Sequence, residues 1–438
     1  MLNRWTALFA LVLAFLCAPP SHAENAAGET VAYIFKKDDT LNSIAGKYLI
    51  STNSALQVQR LNGIKDATKI RPGTVLKIPV TLLKSTPMTA KVVAFSGNVT
   101  IAGSKGSVAP SIGSGILESQ TIITGAPGFL TMAVSDGSKV SLPSNSRVKI
   151  LRLRRYVLTG GNDIDLFVER GRAETTAAPV RNPNSKFRMR TPTAVSAVRG
   201  TVFRIGYEGP EGSSLTEVVE GAVAVDAGKS ATPTVLPNGF GAALPKTGNL
   251  LKEQLLPPPA ILNSGSLQAD AKVMFRLSAV SGAKGYHTQV ARDAGFLEMI
   301  AEDVSVSPVA SFDSVPDGTF FVRAMAIADS GLEGLSDTFA FRRRYMEIGA
   351  TEASAPTGDT FQINWIDQGA TNTIYRFQLF AADDAAIPLV DEPGLEATGI
   401  TLTNLPPGTY RWRVNMRQNT ADGPVDIWSQ PQMFTIDK

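Results

Sequence analysis

Residues 186–207, KFRMRTPTAVSAVRGTVFRIGY, constrain the fold more than any other stretch of the chain. Lys186, Arg188 and Arg190 alternate with Phe187 and Met189, the period of two that sends successive side chains to opposite faces of a strand. Pro192 has no N–H to give to a ladder and interrupts the pairing. A second run over 201–207 alternates again, with Val202, Arg204 and Gly206 on one side and Phe203 and Ile205 on the other. Gly200 joins the two runs, where a Cβ would obstruct the turn. Upstream, residues 130–142 (LTMAVSDGSKVSL) read as a hairpin with Asp136-Gly137 at its tip. Downstream, Glu220-Gly221 separates the strand-like runs TEVV and AVAV. The whole region predicts many short strands.

The order DGSKVSLPSNSRV, LFVERGRAE, FRMRTPTAVSAVRGTVFRI, EVVEGAVAV, LPNGFGA resembles a FecR domain over residues 88–243. The resemblance implies an all-β unit, solenoid-like in its stacking, working outside the cytoplasm. The familiar FecR proteins carry a cytoplasmic N-terminal segment and a membrane span that restrain a sigma factor. Neither is expected ahead of the leader here, so only the extracytoplasmic binding or sensing role is carried over.

Residues 1–23 read as a secretory signal, with Arg4 as the basic end, an apolar run over 5–18 and Ser21-His22-Ala23 as the cleavage site. The apolar run falls short of the roughly 20 residues a span requires, and no second such run is found, so the chain is not expected to cross a membrane. Leu16 before Cys17 departs from a lipobox, which favours cleavage over lipidation. Cleavage removes the single cysteine and one of the two histidines, leaving His287. Disulfides, cysteine nucleophiles and Cys/His zinc sites are then excluded, and no metal or cofactor is expected. A Ser-His-Asp triad would have to use His287, which is expected to be structural or a solvent-facing bystander on a sandwich strand. A formal net charge of +3, or +2 without Arg4, makes the chain no polycation.

Residues 30–80 predict a strand, two helices and a closing strand. Leu41, Ile44, Ala45 and Tyr48 share one helical face. Asp39 or Thr40 suits the helix N-cap, and Gly63 suits the end of a second helix over 54–62. The succession DDTLNSIAGKY, RLNGI, KIRPGTVLKIP is similar to a LysM domain, a βααβ family that binds N-acetylglucosamine-containing glycans such as peptidoglycan. The resemblance implies a groove between Asp38, Asp39, Thr40, Leu41 and Asn42 on one loop and Lys69, Ile70, Arg71, Pro72 and Gly73 on the other. Asp38 stands where that family usually has glycine. Such a shallow site suits N-acetyl sugars, whose acetamido group takes hydrogen bonds while its methyl packs on aliphatic surface. Read individually, Leu41 and Ile70 serve equally as core residues and Asp39 as a cap.

A connector over 81–87 leads into the FecR-like region, where basic residues gather: Arg147 and Lys149, then Arg152, Arg154 and Arg155, then Lys186, Arg188 and Arg190. Stacked strands would make the last six an anion-binding face for wall carboxylates or lipid phosphates. The alternative is a solvated face balanced by Glu169 and Glu174. Nucleic acid is disfavoured, since export removes the chain from it and no aromatic platform interleaves the charges.

Residues 244–259, ending in three prolines, predict a stiff linker. Beyond it the chain repeats itself: VPDGTFFVR at 315–323 matches LPPGTYRWR at 405–413, an offset of 90. Phe275 maps to Trp365 at that offset, while Tyr286 and Gln289 map to Tyr375 and Gln378 one residue short of it. Two β-sandwiches over 260–345 and 346–438 follow, and they look like fibronectin type III domains with aromatic cores.

The fold class expected is therefore mainly β and multidomain. The function expected is a non-catalytic, exported periplasmic or cell-envelope protein that binds peptidoglycan through residues 30–80 and presents its other modules to a ligand or an envelope protein partner. The alternatives are a wall-targeted glycan hydrolase, which needs only two carboxylates, and a periplasmic sensor acting through a membrane partner.

Overall fold

A computed structural model of the chain describes residues 28–437, apart from residues 209–211, 229–231, 264–266, 346, 351–359, 369–372, 382–385 and 421–422. The expected export signal, with Cys17 and His22, lies outside the described residues. The described chain is mainly β and multidomain, with separate hydrophobic cores in successive segments.

In the first unit, strand Thr30–Ile34 pairs antiparallel with Val75–Pro79. Helices Leu41–Tyr48 and Ser54–Leu61 lie between them in sequence, followed by the short 3-10 turn Ala67–Lys69. Leu41, Ile44 and Ala45 are buried beneath the sheet, and Tyr48 packs at the margin of the same core. Thr40, not Asp39, caps the helix. Its Oγ1 accepts from Ser43 N at 3.0 Å, and Ser43 Oγ accepts from Thr40 N at 2.9 Å, a reciprocal box that satisfies two otherwise orphan donors.

The segment after this unit is not a free tether. The turn Val80–Leu82 packs into the first core, and strand Ser85–Pro87 pairs with Arg147–Tyr156 of the next unit. Tyr156 in turn closes the first core, so the two units share a side chain.

Residues 85–254 build one 16-stranded sheet among the described residues, wrapped around a single core. Its pairings are antiparallel except between Asn162–Thr176 and Lys186–Arg190. The all-β expectation holds, and closure comes from a sheet folding over itself rather than from parallel coils laid on one another. The predicted hairpin is present, with Leu130 opposite Leu142 and Gly137 at φ +97° at the tip. Phe203 and Ile205 enter the core, and Arg204 points to the other face.

Strand Asn162–Thr176 is the longest and the most informative. Ile164, Leu166 and Val168 face the core, then Ala173 does, so the inward parity changes along the strand. An irregularity between Val168 and Arg170 and the left-handed Gly171 (φ +76°) make the change. A Cβ on Gly171 would sit 2.6 Å from Ser146 Cα, which leaves glycine as the residue that fits. The outward face therefore carries Asp163 and Asp165 before the bulge and Arg172 and Glu174 after it.

The expected linker over 244–259 is partly sheet: Leu251–Gln254 folds back on Phe240–Leu244 as an edge strand. Beyond it, Val273–Arg276 pairs with Val309–Phe312, and this small sheet faces a four-stranded one made of Met299–Ser305, Ala283–Ala291, Gly318–Ala328 and Thr338–Arg343. Phe275, Phe320 and Phe341 fill the space between them, with Phe275 and Phe341 edge-on at 5.0 Å. The last unit repeats the plan, with Trp365 against Tyr375 and stacked near Phe377. The residues paired by the sequence repeat, Phe275 with Trp365 and Tyr286 with Tyr375, are core residues in both units.

Candidate functional site

The two loops expected to rim a glycan groove are neighbours. Phe35 N donates to Thr74 O at 2.9 Å and Gly73 N donates to Phe35 O at 2.8 Å, which draws residues 69–73 against the start of the loop that carries Asp38–Asn42. Asp39 closes that loop from within. Its Oδ2 accepts from Tyr33 Oη at 2.6 Å and from Lys36 N at 2.8 Å. Burial works to raise the Asp39 carboxyl, and the bonds from Tyr33 and Lys36 outweigh it, holding the group ionised below its usual range. Leu41 is core, and Ile70 packs partly buried against that core. Thr40 is committed to the helix cap. Asp38, Asn42, Lys69, Arg71 and Pro72 are exposed, with Lys69 held loosely by Asp66 at 3.3 Å. Gly73 at φ +90° shapes the turn. The loop surface thus offers exposed polar side chains over a buried aliphatic base.

Five of the six basic residues read as an anion site, Arg152, Arg154, Lys186, Arg188 and Arg190, are brought onto one face and arrive already paired, while Arg155 alternates to the other side of its strand. The register places Arg152 and Arg188 on either side of Asp165, and Arg154 and Lys186 on either side of Asp163. Arg152 Nη2 donates to Asp165 Oδ2 at 2.6 Å and Arg190 Nε to Asp165 Oδ1 at 2.8 Å. Arg188 pairs with Asp163, Arg154 with Glu118, and Lys186 with Glu29. The Arg155 guanidinium donates to the amide oxygen of Asn162, at 3.0 Å. Of the expected counter-charges, Glu169 pairs with Arg147 of the basic cluster, and Glu174 binds Arg323 instead. Opposite charges directly across neighbouring strands attract one another, so Asp163 and Asp165 sit buried beneath the arginines as a paired seam. The signal for this was the alternating Asp163-Ile164-Asp165 triplet. Its register against two basic strands was not readable.

The densest arrangement of ionisable groups lies where the FecR-like unit meets the first sandwich, and the sequence reading missed it. Phe129 inserts among Ala291, Phe296 and Met299. Leu215 and Ala243 meet Leu255 and Leu332. Between these apolar contacts Arg172 donates to Glu217 Oε1 and Glu208 Oε1, both at 2.9 Å, and to the Gly331 carbonyl at 2.8 Å. Arg204 donates to the carbonyls of Glu333 and Gly334, at 3.1 and 2.6 Å. Arg323 grips Glu174 with two nitrogens, at 3.1 and 2.5 Å.

His287 sits inside this network, 4% exposed. Its Nδ1 is 2.8 Å from Glu333 Oε1 and its Nε2 3.1 Å from Glu302 Oε2. Of the two expectations for His287, the structural one holds and the solvent-facing one is corrected: the docked FecR-like unit covers the strand face that an isolated sandwich would expose. Burial opposes the charged ring, but the fields of Glu333 and Glu302 outweigh it and push His287 up to about 9. Burial likewise works to raise Glu333 and Glu302; Arg172 and His287 for the first, and His287 and Ser144 for the second, keep both below the usual carboxylate range. Burial wins at Glu217, which is raised despite Arg172 and Arg204. A ring held protonated between two carboxylates has no lone pair for a hydroxyl proton, so His287 is not placed as a general base at neutral pH. Beside the network opens a cleft of about 710 Å³, lined by Asn145, Arg170, Tyr207 and Glu302 among others. No cluster of three or more His, Cys, Asp or Glu side chains suited to a metal occurs among the described residues. No helix among them is long and apolar enough to cross a membrane.

Residues 33–79 match the family model of the LysM domain, and residues 120–224 match that of the FecR protein. No curated protein matches the chain. Among solved structures, two of a putative anti-sigma factor from Parabacteroides distasonis ATCC 8503 are similar at 21% and 20% identity, each with a TM-score of 0.26. Each match covers 31% of this chain and 59% of that one, so the chain spans about three-fifths of the structure it matches. The chicken CNTN1 FN1–FN3 domains are similar at 15% identity and a TM-score of 0.24, over 56% of this chain and 95% of theirs.

Proposed function

We propose that the chain is an exported, non-catalytic cell-envelope protein that binds peptidoglycan glycan through residues 30–80. The FecR-like unit and the two fibronectin-like sandwiches present surfaces to a partner. The observation that carries this reading is the LysM match over residues 33–79. The hydrogen bonds that tie Phe35 to Gly73 and Thr74, at the base of the two loops, support it. Both matched families are typical of extracytoplasmic bacterial proteins and are binding or signalling units rather than catalysts. A single glycan module binds weakly, so retention on a wall relies on repeated encounters along the same polymer.

Sedimentation with purified sacculi tests the reading. The full chain should pellet with sacculi, and Asn42→Ala with Arg71→Ala should shift it to the supernatant at unchanged thermal stability. A parent chain that stays in solution at saturating sacculi removes the glycan role. The same suspension monitored for turbidity addresses the hydrolase alternative, for which clearing is the expected result. A second reading, a sensor that passes a signal to a membrane partner, is favoured by the FecR match alone.

A further inference from the structure

The two sandwiches repeat more than their cores. In the first, Gln289 lies between Glu302 and Arg323 on neighbouring strands, and Arg323 Nε donates to Gln289 Oε1 at 2.9 Å. In the second, Gln378 lies between Asp391 and Arg413, and Arg413 Nε donates to Gln378 Oε1 at the same 2.9 Å. The cation two residues before each glutamine also pairs across to the same acid: His287 with Glu302, and Arg376 with Asp391 at 2.6 Å. Each repeat arginine stacks on an aromatic ring, Arg323 over Phe296 at 4.2 Å and Arg413 over Trp428 at 4.3 Å.

In the first sandwich this face is the docking face, where Arg323 takes the Glu174 carboxylate and Phe129 packs alongside. In the second, among the described residues, no carboxylate forms an ion pair with Arg413, and nothing from another unit covers Trp428 or Met433. Met433 stands opposite Arg411 on the same face and is 64% exposed. Arginine, tryptophan and methionine together are the composition of a protein-binding surface. A second copy of this chain is a poor occupant, because its own Glu174 and Phe129 are already buried under its own first sandwich.

We propose that the outer face of the second sandwich, centred on Gln378, Arg413 and Trp428, docks a separate protein through a carboxylate of that partner set beside an apolar side chain. Arg413 receives the carboxylate as Arg323 receives Glu174, and Trp428 and Met433 receive the apolar neighbour. This deepens the partner-presenting half of the proposed function and rests on it. The sacculus assay reads the glycan half, so the two can fail separately.

The test places p-benzoylphenylalanine at Met433 of the full chain in the cells that make it, with the same residue at Val306, 89% exposed on the first sandwich, as background. Irradiation should join Met433, and not Val306, to a peptide of another protein that contains Asp or Glu. Arg413→Glu should lower the yield about tenfold or more, since losing one member of a desolvated charge pair has at least that effect. Reversing the partner's carboxylate to lysine should restore it. Arg413→Gln, which keeps the stem on Trp428, gives the same loss if the glutamate variant unfolds early. Absence of a cross-link above background, cross-links only to this chain or to glycan, or a yield indifferent to the charge at 413 overturns the proposal.

Discussion

The two ends of strand Asn162–Thr176 carry similar chemistry in different settings. Before the Gly171 bulge, Asp163 and Asp165 hold arginines from both neighbouring strands on a face that meets water, and Arg152 keeps about a third of its side chain exposed. After it, Arg172 and Glu174 lie under the first sandwich and bind groups more than a hundred residues away in sequence. The first end shows that a dense basic cluster can be an internally paired seam. The second shows that a few isolated charges can form the joint between two units. Both sets hold buried carboxylates, and the difference lies in the cations: Arg152 and Arg190 over Asp165 reach water, whereas Arg172 and Arg204 are themselves buried.

The sharpest way to break this comparison is to remove one charge from each end. Arg172→Ala takes from Glu217 its directly bonded cation, leaving only the more distant Arg204, and should destabilise by about 3–5 kcal/mol. Arg152→Ala removes one of three arginines from the buried Asp165 and should cost less, about 1–2 kcal/mol. Chemical denaturation measures both, and equal losses would show that the two ends share one environment.

The next effect depends on pH. His287 has a folded value of about 9 against 6.5 when unfolded, so its contribution is whole below pH 6.5 and is lost as the pH rises through 9. The loss amounts to roughly 3 kcal/mol. Glu302 and Glu333 act with the opposite sign: lowered in the fold, they stabilise above their unfolded value and stop doing so under acid. Thermal unfolding at pH 7 and pH 9.5 should show the alkaline loss in the parent. His287→Gln should flatten it, and a slope that survives would assign the loss to another group.

A smaller effect is expected at the bidentate contact. Glu174→Gln keeps the shape but removes the charge facing Arg323 and should lower stability by about 2 kcal/mol. Loosening at residues 289–300, read by hydrogen exchange, should accompany it. The smallest effect is expected at the solvated end. Reversing Arg188 and Arg190 to Glu should change retention on sacculi less than about twofold, because both charges already face Asp163 and Asp165. A large, salt-sensitive loss would instead give the basic face an anion-binding role.

Much of the architecture was legible before any coordinate. Alternation at 186–190 and 201–207 marked strands, Asp136-Gly137 marked a hairpin, and the 90-residue repeat marked paired sandwiches with Phe275 and Trp365 in their cores. Each signal is local, or a likeness between two local patterns. The loop residues 38–42 and 69–73 were named through the resemblance to a LysM domain, not from any period in the sequence. The joint could not be named. Arg204 between Phe203 and Ile205, and Glu217 within a strand of apolar neighbours, hinted at buried charge without saying what it met.

The sequence by itself determined the periods, the turns and the aromatic interiors, because backbone sterics and apolar burial act over a few neighbouring residues. Only the tertiary structure decided that Glu174 meets Arg323, that His287 lies between Glu302 and Glu333, and that Asp165 serves two basic strands at once. A charge has no period and no fixed partner along a chain. Its mate is chosen by whichever surfaces exclude water together.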